Sequence, residues 1–285
     1  MNDLKNSPEI LEIIQRSLEE DIGDGDITTL CTVPADLGLT GRLIARANGV
    51  IAGLEIFQLV FSVLDERVEF HPLARDGQEV EPAQELGYIQ GSGRALLTGE
   101  RTALNLLQRI SGIATLTRQY VQAVRDTPAI ILDTRKTAPT LRILDKLGVR
   151  LGGGQNHRQG LYDMVLIKNN HIAAAGGNLA EAVQRVRQGD ALRRPVEIEV
   201  RSLEELKEAL ELHVDRILLD NMNPDLLRQA VAMTARRVPL EASGGITLEN
   251  VAEIARTGVD YISVGALTHS VKALDISLWI DRPKL

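Results

Sequence analysis

Between Pro8 and Glu20 the apolar residues Ile10, Ile13, Ile14 and Leu18 fall at helical spacing. Ser7 and Pro8 stand where a cap and a first helical residue belong, so the chain is expected to open on a helix. From Leu37 to about Gly93 the period shortens. Runs such as LTGRLIARANGVIAG and VEFHPLARDGQEV, broken by Gly, Asn and Asp, predict short strands around one helical piece at 54–64. Residues 96–124 return to helical spacing, with Ala103, Leu104, Leu107, Ile110, Ala114 and Val121 on one stripe. Gly112 is expected to bend or break that helix.

From Ala129 onward, the β-branched runs AIILD, DMVLIK, VEIEV, RILLD, PLEASG and DYISVG alternate with helical segments, which predicts parallel βαβ units. Helix starts are marked by Ser202 with Glu205 as a capping box and by Pro224. Six or seven such units suit an open or closed barrel better than a doubly wound sheet. Arg135, Lys136, Lys168, Glu199, Asp220, Ser243, Gly244 and Gly265 all lie at or just past the C-terminal end of a predicted strand. Barrel enzymes assemble their sites there.

The composition, 44% hydrophobic and 25% charged over 285 residues, is that of a globular protein long enough for one large α/β domain or two ordinary ones. Charge adds more. The chain carries a formal net charge of -7, yet residues 130–172 hold seven Lys/Arg against three Asp/Glu. The remainder, 25 basic against 36 acidic residues, speaks against a nucleic-acid partner or an anionic membrane. Cys31 is the only cysteine, which rules out a disulfide framework or a cysteine zinc site. The first twenty residues have no apolar run of signal-peptide or membrane length, so a cytoplasmic location is expected.

The cations Arg135, Lys136, His157, Arg158 and Lys168 sit beside turn-forming Gly and Asn rather than along a helix face. Two arginine forks with lysine and histidine match two carboxylates or a diphosphate better than bulk solvent. SGG at 243–245 and VGA at 264–266 end the last two predicted strands; they are either tight βα turns or a phosphate cradle of backbone N–H groups. Glu199 and Asp220 end successive strands and offer hard oxygen ligands for a magnesium ion or for ribose hydroxyls. Glu197 shares a strand face with Glu199 and is the weaker choice for that role. Asp21, Asp24 and Asp26 lack the alternating spacing of a calcium loop, and Asp26 reads as a helix cap. His71 and His213 read as surface or packing residues, and Arg101 is ambiguous at a helix start. No Walker loop, GxSxG, HExxH or CxxC occurs.

Taken in order, EDIGDGDITT, GERTALNLLQRISGIAT, DTRKTAPTLR, GGGQNHRQGL, LIKNNH, EIEV, LLDN, SGGI and VGALTHS closely resemble the quinolinate phosphoribosyltransferases over nearly the whole chain. The resemblance implies an N-terminal α+β sandwich domain over 1–112 and an open, TIM-like α/β barrel of six or seven parallel strands over 113–270. The tail 271–285 would pack back on the first domain. It implies transfer of phosphoribosyl from phosphoribosyl pyrophosphate to quinolinate with loss of carbon dioxide, for NAD biosynthesis, in a homodimer with shared sites. By position, Arg135, His157, Arg158 and Lys168 would hold the two carboxylates, with Arg101 supplied by the partner subunit. Lys136 would face the diphosphate. Glu199 and Asp220 would handle ribose and Mg2+, while Ser243, Gly244 and Gly265 would cradle the 5′-phosphate. His269 matches a family position without an assignable chemistry. Related readings are a nicotinate-specific transferase, a molybdenum-associated homologue and a non-catalytic sugar-phosphate binder.

Overall fold

The computed structural model describes Leu4 and residues 7–281, which divide into two compact units. The first unit takes the chain to Arg118, resumes at Thr137–Gly153 and closes from Ser270; the second holds Gln119–Lys136 and Gly154–His269.

The first unit opens with helix α1 (Pro8–Ile22), which buries Ile10, Ile13, Ile14 and Leu18 as their spacing predicts. Ser7 occupies the cap position, but its side chain makes no capping bond; proline at the first turn leaves fewer N–H groups to satisfy. Asp26 does cap α2 (Ile27–Thr32), accepting the Thr29 N–H at 2.9 Å. Strands β1 (Gly38–Ala45) and β2 (Gly49–Val50) lead to α3 (Leu54–Leu64), followed by β3 (Glu69–Pro72), β4 (Glu79–Val80) and β5 (Glu85–Ser92). Phe57, Phe61 and Phe70 meet edge to face with centroids 5.1 and 5.2 Å apart at the centre of this unit's core.

Helix α4 (Gly93–Val124) runs for 32 residues as one long helix rather than two consecutive ones, with no break at Gly112. Gly112 serves packing instead. A Cβ there would collide with the backbone carbonyl of Lys272, so glycine lets two backbones touch while the helical hydrogen bonds continue.

The second unit begins with β6 (Ile130–Leu132). After α5 (Arg142–Leu151), which groups with the first unit, the chain continues through β7 (Val165–Ile167), α6 (Asn169–Ala174), α7 (Leu179–Gly189) and β8 (Val196–Val200). It then runs through α8 (Leu203–Glu211), β9 (Arg216–Asp220), α9 (Pro224–Thr234), β10 (Leu240–Ser243), α10 (Val251–Ala255), β11 (Tyr261–Ser263) and α11 (Ala266–His269). All six β-branched runs are strands, in one parallel sheet of order β6-β11-β10-β9-β8-β7. A further parallel bridge, Leu132 to Gln155, extends the β6 edge by a single residue pair. This is the open α/β barrel that the alternation of strands and helices predicts.

At α8, Ser202 accepts the Glu205 N–H as expected, but the Glu205 carboxylate takes the Arg201 N–H rather than closing the box on Ser202. The chain returns to the first unit with β12 (Ile276–Ile280), which pairs antiparallel with β1 and completes the sheet β12-β1-β5-β3. Among the described residues no helix is long and apolar enough to cross a membrane.

Candidate active site

Within the second unit a cavity of about 520 Å³ opens at the C-terminal ends of the parallel strands. Arg135, Lys136, His157, Arg158, Lys168, Glu199, Asp220, Ser243, Gly244 and Gly265 all border it. Each follows or ends a strand, which explains how residues so far apart in sequence converge. The loop that carries His157 and Arg158 is pinned by Asp133. Its buried carboxylate accepts the His157 N–H at 2.8 Å and the Asn156 amide at 2.6 Å.

The two arginines dominate the wall. Arg158 is 9% exposed and has one bond to the Met164 carbonyl at 3.3 Å, while the Nε of Arg135 is buried without a hydrogen-bond partner. Burial, and then the neighbouring charge of Arg135, lower the Arg158 pKa from its usual value. Two neighbouring guanidiniums, one nearly buried and the other with an orphaned donor, form a site that an anion would stabilise. Lys136 and Lys168 are exposed at the rim. Lys136 lies across the turn at Gly265, its Cδ 3.1 Å from where a side chain at that glycine would begin.

Three of the seven cations between 130 and 172 are elsewhere. Arg142, Lys146 and Arg150 belong to α5 in the first unit, so the apparent concentration of charge is a composite of two structures. Arg101 is likewise outside the pocket, exposed on α4 in the first unit.

His157 occupies an unexpected setting. Its Nε2 lies 2.8 Å from Glu197 and 3.4 Å from Glu241, and its Nδ1 is 2.7 Å from the Arg158 backbone N. Burial alone would lower its pKa, but the hydrogen bonds and charges of the two glutamates overcome this and push it up to about 9. The Arg158 contact wants a bare Nδ1, whereas the glutamates want a cation. Burial also pushes the Glu197 carboxyl above its ordinary range, so the layer can shed negative charge while Nδ1 stays bare to accept the Arg158 N–H. In either state a proton on Nε2 faces the carboxylates.

On the opposite wall Glu199, 8% exposed, accepts the Asn169 side-chain amide at 2.6 Å. Asp220 ends β9; it accepts the Asn221 amide at 2.9 Å and lies 3.4 Å from Arg201 Nε. Ser243, Gly244 and Gly245 form the turn after β10, with φ of +95° and +62° at the two glycines. A side chain at Gly244 would also strike the Asn221 amide, so the backbone stays bare at this corner. His269 borders the same cavity.

A second cavity, of about 620 Å³, lies in the first unit and is lined by Glu9, Glu12, Glu20 and Asp21 against a single Arg16. Its charge is wrong for an anion. The barrel-mouth pocket is therefore the site; the supports Asn169 and Arg201 and the buried Glu241 escape sequence reasoning, while Glu197, the weaker acid of its strand face, pairs with a barrel cation instead. Strand alternation in VEIEV places Glu197 inside the barrel, but nothing local shows that His157 is its partner.

An open parallel barrel with paired arginines, two acids and a bare glycine corner at its C-terminal mouth defines an enzyme-type site for a multiply charged anion. Residues 113–279 match the model of the quinolinate phosphoribosyl transferase C-terminal domain, and residues 26–111 match that of the N-terminal domain. The chain belongs to the quinolinate phosphoribosyltransferase family. It is 44% identical to the mitochondrial quinolinate phosphoribosyltransferase [decarboxylating] 2 of Nicotiana glauca, over 96% of this chain and 82% of that one. It is 43% identical to the probable nicotinate-nucleotide pyrophosphorylase [carboxylating] of Bacillus subtilis, over 96% and 94% of the two chains. Among solved structures it superposes on NadC from Streptococcus pyogenes with a TM-score of 0.92 and 39% identity, covering 96% of this chain and 98% of that one.

Proposed function

We propose that this protein transfers phosphoribosyl from phosphoribosyl pyrophosphate to quinolinate with loss of carbon dioxide, giving nicotinate mononucleotide and diphosphate for NAD biosynthesis. The observation that carries the reading is the pair Arg135 and Arg158 on one wall of the pocket, Arg158 nearly buried and Arg135 with a buried Nε that has no hydrogen-bond partner. A diacid supplies the two negative charges that such a pair lacks. Lys168 adds to the same wall, where His157 has both ring nitrogens engaged within the protein, and Lys136, above the Gly265 turn, would face the diphosphate.

In this reading the pyridine nitrogen bonds to ribose C1 as the C1–oxygen bond to diphosphate breaks. The nitrogen, now quaternary, withdraws electrons from C2; carbon dioxide leaves and the C2 carbanion takes a proton. The chain's contribution is to hold the diacid and the sugar in line and to neutralise charge. Ser243, Gly244 and Gly265 would receive the 5′-phosphate on bare backbone, and Glu199 and Asp220 the ribose hydroxyls.

The two acids also fit Mg2+. They supply hard oxygens from only two residues, which suits an ion that keeps waters and takes the rest of its shell from substrate oxygens. When bound, Mg2+ would supply charge to offset the leaving diphosphate. The working form is proposed to be a homodimer in which Arg101 of one subunit completes the partner's diacid site.

The test is to incubate the protein with quinolinate, phosphoribosyl pyrophosphate and Mg2+ and to measure carbon dioxide and mononucleotide. Both products are expected in equal amounts; absence of both overturns the reading, and product from nicotinate alone would replace quinolinate as the substrate. Arg135→Ala and Arg158→Ala should each raise the KM for quinolinate tenfold or more, since a charged hydrogen bond contributes about 1.5–3 kcal/mol.

A further inference from the structure

Beneath the anion pocket the barrel interior holds a layer of charge that the proposed reaction does not use. Glu197 on β8 and Glu241 on β10 are completely buried. Arg216 on β9 donates to Glu241 at 3.0 Å and lies with its guanidinium 4.0 Å from the Tyr261 ring on β11. One oxygen of Glu197 has no hydrogen-bond partner, while Glu241 also meets the Ser263 hydroxyl.

Such an arrangement is expensive. Buried carboxylates are costly even when paired, and an unpartnered oxygen adds to the cost. Apolar residues would pack the same space more cheaply, so the layer calls for a use beyond stability. Both glutamates reach one pocket-lining side chain, His157, whose Nε2 they share. His157 is followed directly by Arg158, whose backbone N is 2.7 Å from the other ring nitrogen.

We infer that Glu197 and Glu241 are positioning residues for the diacid site: by gripping Nε2 of His157 from below, they fix that ring, and with it Arg158, in the wall of the pocket. Arg216 completes the device by holding Glu241 in place and offsetting one of the two negative charges. Its guanidinium beside the glutamates also argues against a divalent ion there, although the three ligand atoms lie within 4.8 Å of one another. The groups facing His157 include Glu197, Glu241 and Arg158, with Asp133 on its backbone. The raised pKa of the ring agrees with this grip.

This inference rests on the quinolinate reading for its kinetic consequence but not for its geometric one, so two measurements separate them. In Glu197→Gln and Glu241→Gln, the KM for quinolinate should rise tenfold or more. The KM for phosphoribosyl pyrophosphate should change less than twofold, and kcat less than the quinolinate KM. Charge-preserving Glu197→Asp should recover part of the loss. In parallel, nitrogen NMR of labelled histidine, with His157 assigned through His157→Asn, should show a proton on Nε2 in the unmodified protein and a displaced resonance in the glutamine variants. An unprotonated Nε2, or an unchanged quinolinate KM in both variants, overturns the inference. The NMR result decides it on the unmodified protein even if a variant fails to fold or quinolinate proves not to be the substrate.

Discussion

At Gly244 two independent constraints meet, a φ of +95° and the amide of Asn221 where a side chain would start. Gly244→Ala is therefore expected to destabilise the fold by about 1–3 kcal/mol, the range for a strained backbone position. It should also weaken phosphoribosyl pyrophosphate more than quinolinate; melting curves and the two KM values check both. His157 makes a prediction of opposite character. Its folded pKa, about 9, lies above the ordinary 6.5, so the charged ring's contribution to stability is fully present below 6.5 and is lost as pH rises through 9. Chemical unfolding at pH 6 and at pH 9.5 should show a larger loss for the unmodified protein than for His157→Gln. Equal losses would mean that the ring is neutral throughout. Neither residue discloses its full role locally. Gly244 sits in a motif that already suggests a bare corner, whereas His157 depends on acids supplied by strands far along the chain.

Among the elements, α4 and α5 show what local pattern can and cannot reveal. The six parallel strands are legible because short apolar runs bounded by Gly, Asp and Pro alternate with helical segments at the spacing that βαβ units require. The run of cations is misleading because charge along a sequence says nothing about which elements face each other. Arg142, Lys146 and Arg150 lie on α5, where Asp145 takes both arms of Arg109 from α4 at 2.8 and 2.9 Å. That pair matters to stability because the Asp145 side chain is fully buried and its partner only a quarter exposed. Arg109→Ala leaves the buried carboxylate with the Ala138 N–H at 3.0 Å but without its cation, and should cost about 3–5 kcal/mol in urea unfolding. Gly112 misleads in a similar way: in sequence it reads as a helix breaker, yet its glycine is set by the carbonyl of Lys272, a contact no local window contains.

For the molecule as a whole, the exposed position of Arg101 leads to a complementation experiment. If Arg101 completes a partner's pocket, Arg101→Ala and Arg158→Ala subunits each show little activity alone at quinolinate concentrations far below their raised KM. Mixed and allowed to exchange, they form dimers with one intact site and should recover roughly a quarter of the unmodified activity, as random pairing of two subunit types requires. No recovery would place Arg101 outside the chemistry.

The first unit is assembled from three stretches of chain, and its four-stranded sheet takes its outer strand β12 from residues 276–280. A ribosome therefore makes the entire barrel before it delivers the strand that closes the sheet begun at β1. Until then one edge of β1 stays bare, an invitation to wrong pairing with other nascent chains. The half of the protein synthesised first is thus the half that finishes folding last.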